Sequence, residues 1–271
     1  MHGARVLAGG LVASFVMLGA PLRADIVDYS NFKSRFYVQS DASPAVDPPT
    51  YSAAQRFFGS DLTPANIGSA QVVQPDSSVR PLDVYSGTQQ LLTFGGPFAT
   101  EGELDAHIPA GGYVFSLTGG AFGDGLATLV QPDTNPWSSV PFVSNWAALQ
   151  NADPASAFSV VHDLAVIDPA TTLGAVFWQV NDLSNGGTPY FGSYDFAGTG
   201  FTLLAGALLP NTSYEIIIDF SARVNVTDPD ATGSLASVLG QASFDTITAA
   251  RFSTIPTPGG SLLAGLGMAA A

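Results

Sequence analysis

The chain has 271 residues, 46% of them apolar and 11% charged, with 22 acidic against 8 basic side chains and no cysteine, for a formal charge of −14. The missing thiols exclude disulfide staples and cysteine-ligated metal or redox sites. The acidic excess repels a phosphate backbone, so no nucleic acid is expected as a partner, and the apolar content is too high for a disordered acidic tail.

At the start, Arg5 precedes Val6 to Leu22, a run without charge. It is shorter than the ~20 apolar residues of a membrane span. Small residues close it at Leu22-Arg23-Ala24, the layout of a secretory leader cut by signal peptidase between Ala24 and Asp25. An uncut N-terminal anchor is the alternative. Cleavage removes Arg5 and Arg23, leaving 6 basic against 22 acidic residues, or −16. The expected organisation is a leader over 1–24, a β-rich unit over 25–139, a β-sandwich over 140–254 and a tail over 255–271.

In the first unit, Tyr51 to Phe58 fits one or two helical turns, and the runs at Ala70–Gln74, Val84–Tyr85 and Gln89–Phe94 fit short strands. Glu101, Glu103 and Asp105 recur every second residue, so a strand turns all three to one side. Two such acids suit glycoside hydrolysis, where carboxyls flank the bond at about 5–10 Å. Three like charges on a wet strand edge, discouraging edge pairing, explain the pattern more simply. Tyr113–Thr118 and Leu126–Val130 read as a hairpin, with Gly119–Gly125 as its loop.

Pro132, Pro136 and Pro141 mark a seam between the two units. Trp137 and Trp146 flank Pro141-Phe142-Val143 and serve either as packing between the units or as an aromatic platform for a surface polysaccharide. Beyond the seam, strands are expected at Pro141–Ser144, Ala157–Leu164, Gly174–Asn181, Pro189–Asp195, Gly200–Ala205, Tyr214–Val226 and Phe244–Ser253. The clearest is Tyr214–Val226, with Tyr214, Ile216, Ile218, Phe220, Ala222, Val224 and Val226 on one face. Glu215, Asp219, Ser221, Arg223 and Asn225 share the other, as in an antiparallel sheet over a core.

Leu209-Pro210-Asn211-Thr212-Ser213-Tyr214 delivers the chain into that strand. This Leu-Pro-x-Thr-x-Tyr sequence resembles the corner before the sixth strand of fibronectin type III domains, where a tyrosine hydroxyl returns to the upstream backbone. The resemblance covers Pro141–Thr254 and implies a seven-stranded sandwich. One departure is Trp178, read as core in the third strand, where the family keeps its core tryptophan one strand earlier. His162 stands at the matching place, among Phe158, Val160 and Leu164.

Asn225-Val226-Thr227-Asp228-Pro229-Asp230 ends the same strand with oxygen donors. Asp228 and Asp230 are the candidate ligands for calcium, without EF-hand spacing, and Asp-Pro-Asp is also ordinary turn chemistry. His107 and His162 lie in different halves without a neighbouring His, so no zinc site is expected. No Gly-x-Ser-x-Gly elbow or phosphate-binding glycine loop occurs, so the chain reads as a non-enzyme.

The C-terminal Ile255-Pro256-Thr257-Pro258 is a stiff, extended spacer, because each Pro fixes its own φ and biases its predecessor away from helix. Eleven small or apolar residues, Ser261 to Ala271, follow. Ile255, Pro256 and Pro258 thus resemble the Pro-x-Pro variant of the PEP-CTERM sorting signal. That resemblance implies export by a Gram-negative-type bacterium, membrane contact through the tail and processing by an exosortase. The apolar segment is short for a span, and the family's Arg cluster is absent from it. Glu103–Tyr113 and Pro141–Asn145 likewise resemble exported proteins bearing such tails. The resulting expectation is an all-β, antiparallel sandwich protein with a structural or adhesive role, no cofactor beyond the calcium candidate, and a carbohydrate-binding module or a glycosidase as alternatives.

Overall fold

The computed structural model describes residues 26–45, 49–60, 62–63, 66–85 and 90–256. Along the chain these form β1 (Ile26–Gln39), β2 (Thr50–Gly59), β3 (Ser69–Val73), β4 (Val79–Pro81), β5 (Asp83–Val84), β6 (Gln90–Phe98), α1 (Glu101–His107), β7 (Gly111–Thr118) and β8 (Gly125–Gln131). There follow α2 (Trp146–Leu149), β9 (Phe158–Val161), β10 (Leu173–Asp182), β11 (Gly187–Tyr194), β12 (Gly200–Leu203), β13 (Ser213–Val226), β14 (Thr232–Gly233) and β15 (Leu239–Ser253). Among the described residues no helix is long and apolar enough to cross a membrane.

The inner face of β13 acts as its sequence suggests, with Tyr214, Ile216, Ile218, Phe220 and Ala222 all buried, but Asp219 and Ser221 on the face expected to be wet are buried as well. In the C-terminal lobe, β11-β10-β13-β15 form one layer, and β12-β9, extended by a bridge between Val143 and His162, form the other. Four strands facing three short segments in this order are the fibronectin type III arrangement, an antiparallel β-sandwich. Pro141–Ser144, expected as a strand, contributes only that bridge. Val160 and His162 point inward while Leu164 is exposed, which fixes the register of the second segment. The tyrosine corner is formed, the Leu209 N–H donating to the Tyr214 hydroxyl at 2.8 Å.

The N-terminal lobe packs the sheet β14-β8-β7-β3-β4 against β1, β2 and β6. Tyr29 and Phe57 meet Phe115 there, with ring centroids 5.3 and 5.5 Å apart. Each large side chain so buried contributes about 1.5–3 kcal/mol. Tyr51–Phe58, expected to be helical, lies within β2: Ala53, Gln55 and Phe57 are buried on one side, and the pairing with β1 and β6 overrides the local preference. The Gly119–Gly125 segment is the hairpin loop expected, with Gly119, Gly120 and Gly123 at positive φ.

The two lobes share one sheet. β1 runs parallel to β15, from Asp28 opposite Leu239 to Gln39 opposite Ala250, so β11-β10-β13-β15-β1-β2-β6-β5 is a continuous eight-stranded layer. β13 and β15 are long enough to floor both cores: Tyr214 and Phe252 belong to the second, while Val226 packs on the first.

Candidate functional site

The inner face of β1 passes from one core to the other. Tyr29 sits in the first core and Gln39 reaches the second lobe, where its side chain exchanges two hydrogen bonds with the Val143 backbone at 2.8 and 3.1 Å. Between them the alternation places Asn31, Lys33 and Arg35 on the same side, under the seam between the covering sheets. Lys33 is 2% exposed, a burial that an ammonium tolerates only with partners. Its Nζ donates to Asp105 Oδ1 at 2.6 Å and to Asn135 Oδ1 at 2.9 Å.

Asp105 comes from α1, and so does Glu101. The three acids expected on a strand lie on this helix instead, because Thr100 and Glu103 form a capping box: the Thr100 hydroxyl accepts from the Glu103 N–H while the Glu103 carboxylate accepts from the Ala99 and Thr100 N–H groups. Helical spacing then turns Glu101 and Asp105 to one face and removes Glu103 from it. Glu101 Oε1 accepts from Trp137 Nε1 at 2.7 Å and Asn135 Nδ2 at 2.6 Å, and the same amide reaches Asp105 Oδ1 at 2.9 Å.

Arg35 completes the cluster. Its guanidinium donates to the Ser138 carbonyl at 2.6 Å and to Thr246 Oγ1 at 3.1 Å, and lies 5.0 Å over the Trp137 ring and 5.7 Å over Tyr37. Burial lowers the Arg35 pKa, opposed by Tyr37, Glu101 and Tyr51; burial and then the charge of Glu101 raise that of Tyr51. Trp137 also meets Phe244 edge-on at 5.6 Å. Chemically, the seam is a lock in which acids, cations and the indole N–H are committed to one another.

The other expected site residues are dispersed. Trp146 is half-buried against the second core. Asp228 uses its Oδ2 to accept from the Thr128 N–H at 2.6 Å and its Oδ1 from the Asp230 N–H at 2.9 Å, the turn chemistry of its sequence, while Asp230 is exposed. Among the described residues no three His, Asp or Glu side chains gather in a metal-holding cluster. Ile255 donates its N–H to the Ala152 carbonyl, whereas Ala24, Asp25 and Pro258 lie outside the described residues.

Two histidines are structural. His107 Nε2 accepts from Arg80 at 2.6 Å, and burial followed by Arg80 lowers its pKa. His162 is 2% exposed, bonded through Nε2 to the Tyr194 hydroxyl and through Nδ1 to the Asp163 carbonyl, with its pKa lowered by burial. Burial also pushes the Tyr194 phenol up to about 12.

Trp178, read as core from the sequence, is half-buried: one face stacks on Phe201 at 3.9 Å, and its ring lines a surface cavity of about 430 Å³ with Tyr190 and the 202–207 segment. Gly192 across the strand pair makes room for it, since a Cβ there falls 2.7 Å from the indole.

No protein-family model matches the chain, and no curated protein matches it. Among solved structures, the chicken CNTN1 FN1–FN3 domains align over 79% of this chain and 67% of theirs at 13% identity, with a TM-score of 0.28. A two-domain fibronectin type III segment of chicken tenascin aligns over 74% of this chain and 94% of its own at 12% identity, with a TM-score of 0.24. The strand pairing carries the fold by itself, and these likenesses add nothing to it.

Proposed function

We propose that this chain is an exported, non-catalytic β-sandwich protein acting structurally or adhesively at the surface of a Gram-negative-type bacterium. Residues 1–24 direct it outward through signal peptidase, and residues 255–271 retain or release it through exosortase processing. The observation that supports the structural role is the continuous eight-stranded sheet beneath both lobes, with the carboxylates of the seam already engaged by Lys33, Asn135 and Trp137. The composition of the two ends supports export.

Fractionation of producing cells with N-terminal sequencing tests the reading. Mature protein starting at Asp25 is expected in the surface fraction, and deletion of 257–271 is expected to move it to the medium. A cytoplasmic pool with an intact leader overturns export. Turnover of a glycan panel that disappears in Glu101→Gln overturns the non-catalytic part.

The Trp178 cavity favours a second reading, a polysaccharide-binding surface, because an aromatic face beside Tyr190 presents apolar area to a sugar ring. Retention on polysaccharide that is lost in Trp178→Ala supports it, and retention unchanged by that substitution removes it.

A further inference from the structure

The outer face of the shared sheet carries a second buried cluster, separate from the seam. On β13, Asp219 is 1% exposed; on β15, Asp245 is 8% exposed. The register sets Asp219 opposite Ile247 and Ser221 opposite Asp245, so the two carboxyls are diagonal neighbours on one face, flanked by Phe177 from β10 and Ser34 from β1. Asp245 Oδ1 accepts from the Ser221 hydroxyl at 2.7 Å, and Asp219 Oδ1 has no hydrogen-bond partner. A buried carboxylate oxygen without a donor is costly, whereas the neutral acid supplies a donor of its own.

The surrounding charges do not balance the pair. Arg56 of β2 is 3.6 Å from Asp28 of β1, donates to Ser30 and stacks on Phe32. Arg251 of β15 is bound to Glu215 of β13 at 2.9 Å. Asp83 is exposed at the far edge. Arg223 donates to Ser221 and lies 5.2 Å over the Phe177 ring, and Arg56 divides its charge between Asp28 and Asp245, so two guanidiniums face three buried carboxyls, Asp28, Asp219 and Asp245. We propose that Asp219 and Asp245 hold one proton between them at neutral pH, and that its loss loosens the β13–β15 spine joining the two lobes, making their cohesion sensitive to alkalinity.

Burial, followed by the charge of Asp245, raises the Asp219 pKa well above the usual carboxylate range, and burial raises that of Asp245. The folded state therefore keeps a proton that the unfolded chain releases near pH 4. The stabilisation is complete below that pH and is lost as pH rises through the folded value.

Carboxyl-carbon NMR of the full chain between pH 4 and 9 tests the pair directly. One of the two resonances is expected to remain that of a neutral acid at pH 7; ionisation of both at or below pH 7 overturns the proposal. Asp219→Asn, nearly isosteric, is the second arm. Wild type is expected to lose thermal midpoint relative to this variant as pH rises from 5 to 9, with falling amide protection along β13 and β15 in wild type alone. Taking the difference cancels what His107 and His162 contribute. A constant gap, or protection that falls equally in both proteins, overturns it. If the variant does not fold, the titration of wild type decides.

Discussion

Tyr214 shows what a single hydroxyl holds in place. The phenol is 2% exposed and accepts the Leu209 N–H, closing the corner before β13. Tyr214→Phe keeps the ring and strands a backbone donor, so a loss of about 1–3 kcal/mol is expected in urea unfolding. This contact was legible because a corner is local: the motif and its target are five residues apart. His162 was legible only as an oddity among apolar neighbours. Its lowered pKa means that the unfolded chain takes the proton first, so stability falls as pH drops below about 6.5 and through the folded value. His162→Phe is expected to retain more of its own pH 7.5 thermal midpoint at pH 5 than wild type does, measured by circular dichroism.

For whole elements, reading a pattern depends on choosing the right period. Glu101, Glu103 and Asp105 fit a strand at spacing two, but Glu101 and Asp105 also fit a helix at spacing four. The arbiter was present in the sequence, since Thr100-Glu101-Gly102-Glu103 is a capping box just before the apolar Leu104. β1 escaped for the opposite reason. Its inner positions Asn31, Lys33 and Arg35 are polar, so the alternation that exposes a half-buried strand is masked, and a lysine with 2% exposure contradicts composition rules. The Lys33–Asp105 pair has one buried and one half-exposed partner, the Asp105 side chain being 46% exposed. Solvent screens its energy, yet removing the acid leaves a buried ammonium with Asn135 alone as its partner. Asp105→Leu is therefore expected to cost more than the double variant Lys33→Met/Asp105→Leu, a sign that a double-mutant cycle in urea reads directly.

Across the molecule, the sequence disclosed strand chemistry and the sandwich class but not the union of the lobes. The β1–β15 pairing joins residues more than 200 positions apart, and no local spacing encodes such a contact. The proline-rich segment 132–141 read as a boundary, and it does cross between the cores, but Arg35 and Phe220 bind it to the sheet through Ser138. Because β13, β15 and β1 run beneath both cores, the lobes are expected to unfold together. Tryptophan fluorescence and far-ultraviolet circular dichroism are expected to give one coincident denaturant transition, whereas two separated transitions refute the coupling.

The parallel run of β1 beside β15 also gives the molecule a polarity along the strand axis. Ile26 lies at the pole where β15 begins, and Ser253 leaves at the other, fourteen residues further along the strand axis. At about 3.3 Å per residue that separates the poles by roughly 45 Å. Under the proposed retention through residues 255–271, the molecule would stand like a mast, carrying the N-terminal lobe outermost and presenting the β7–β8 hairpin and its neighbours to the surroundings while the sandwich lobe of β9–β13 stays near the base.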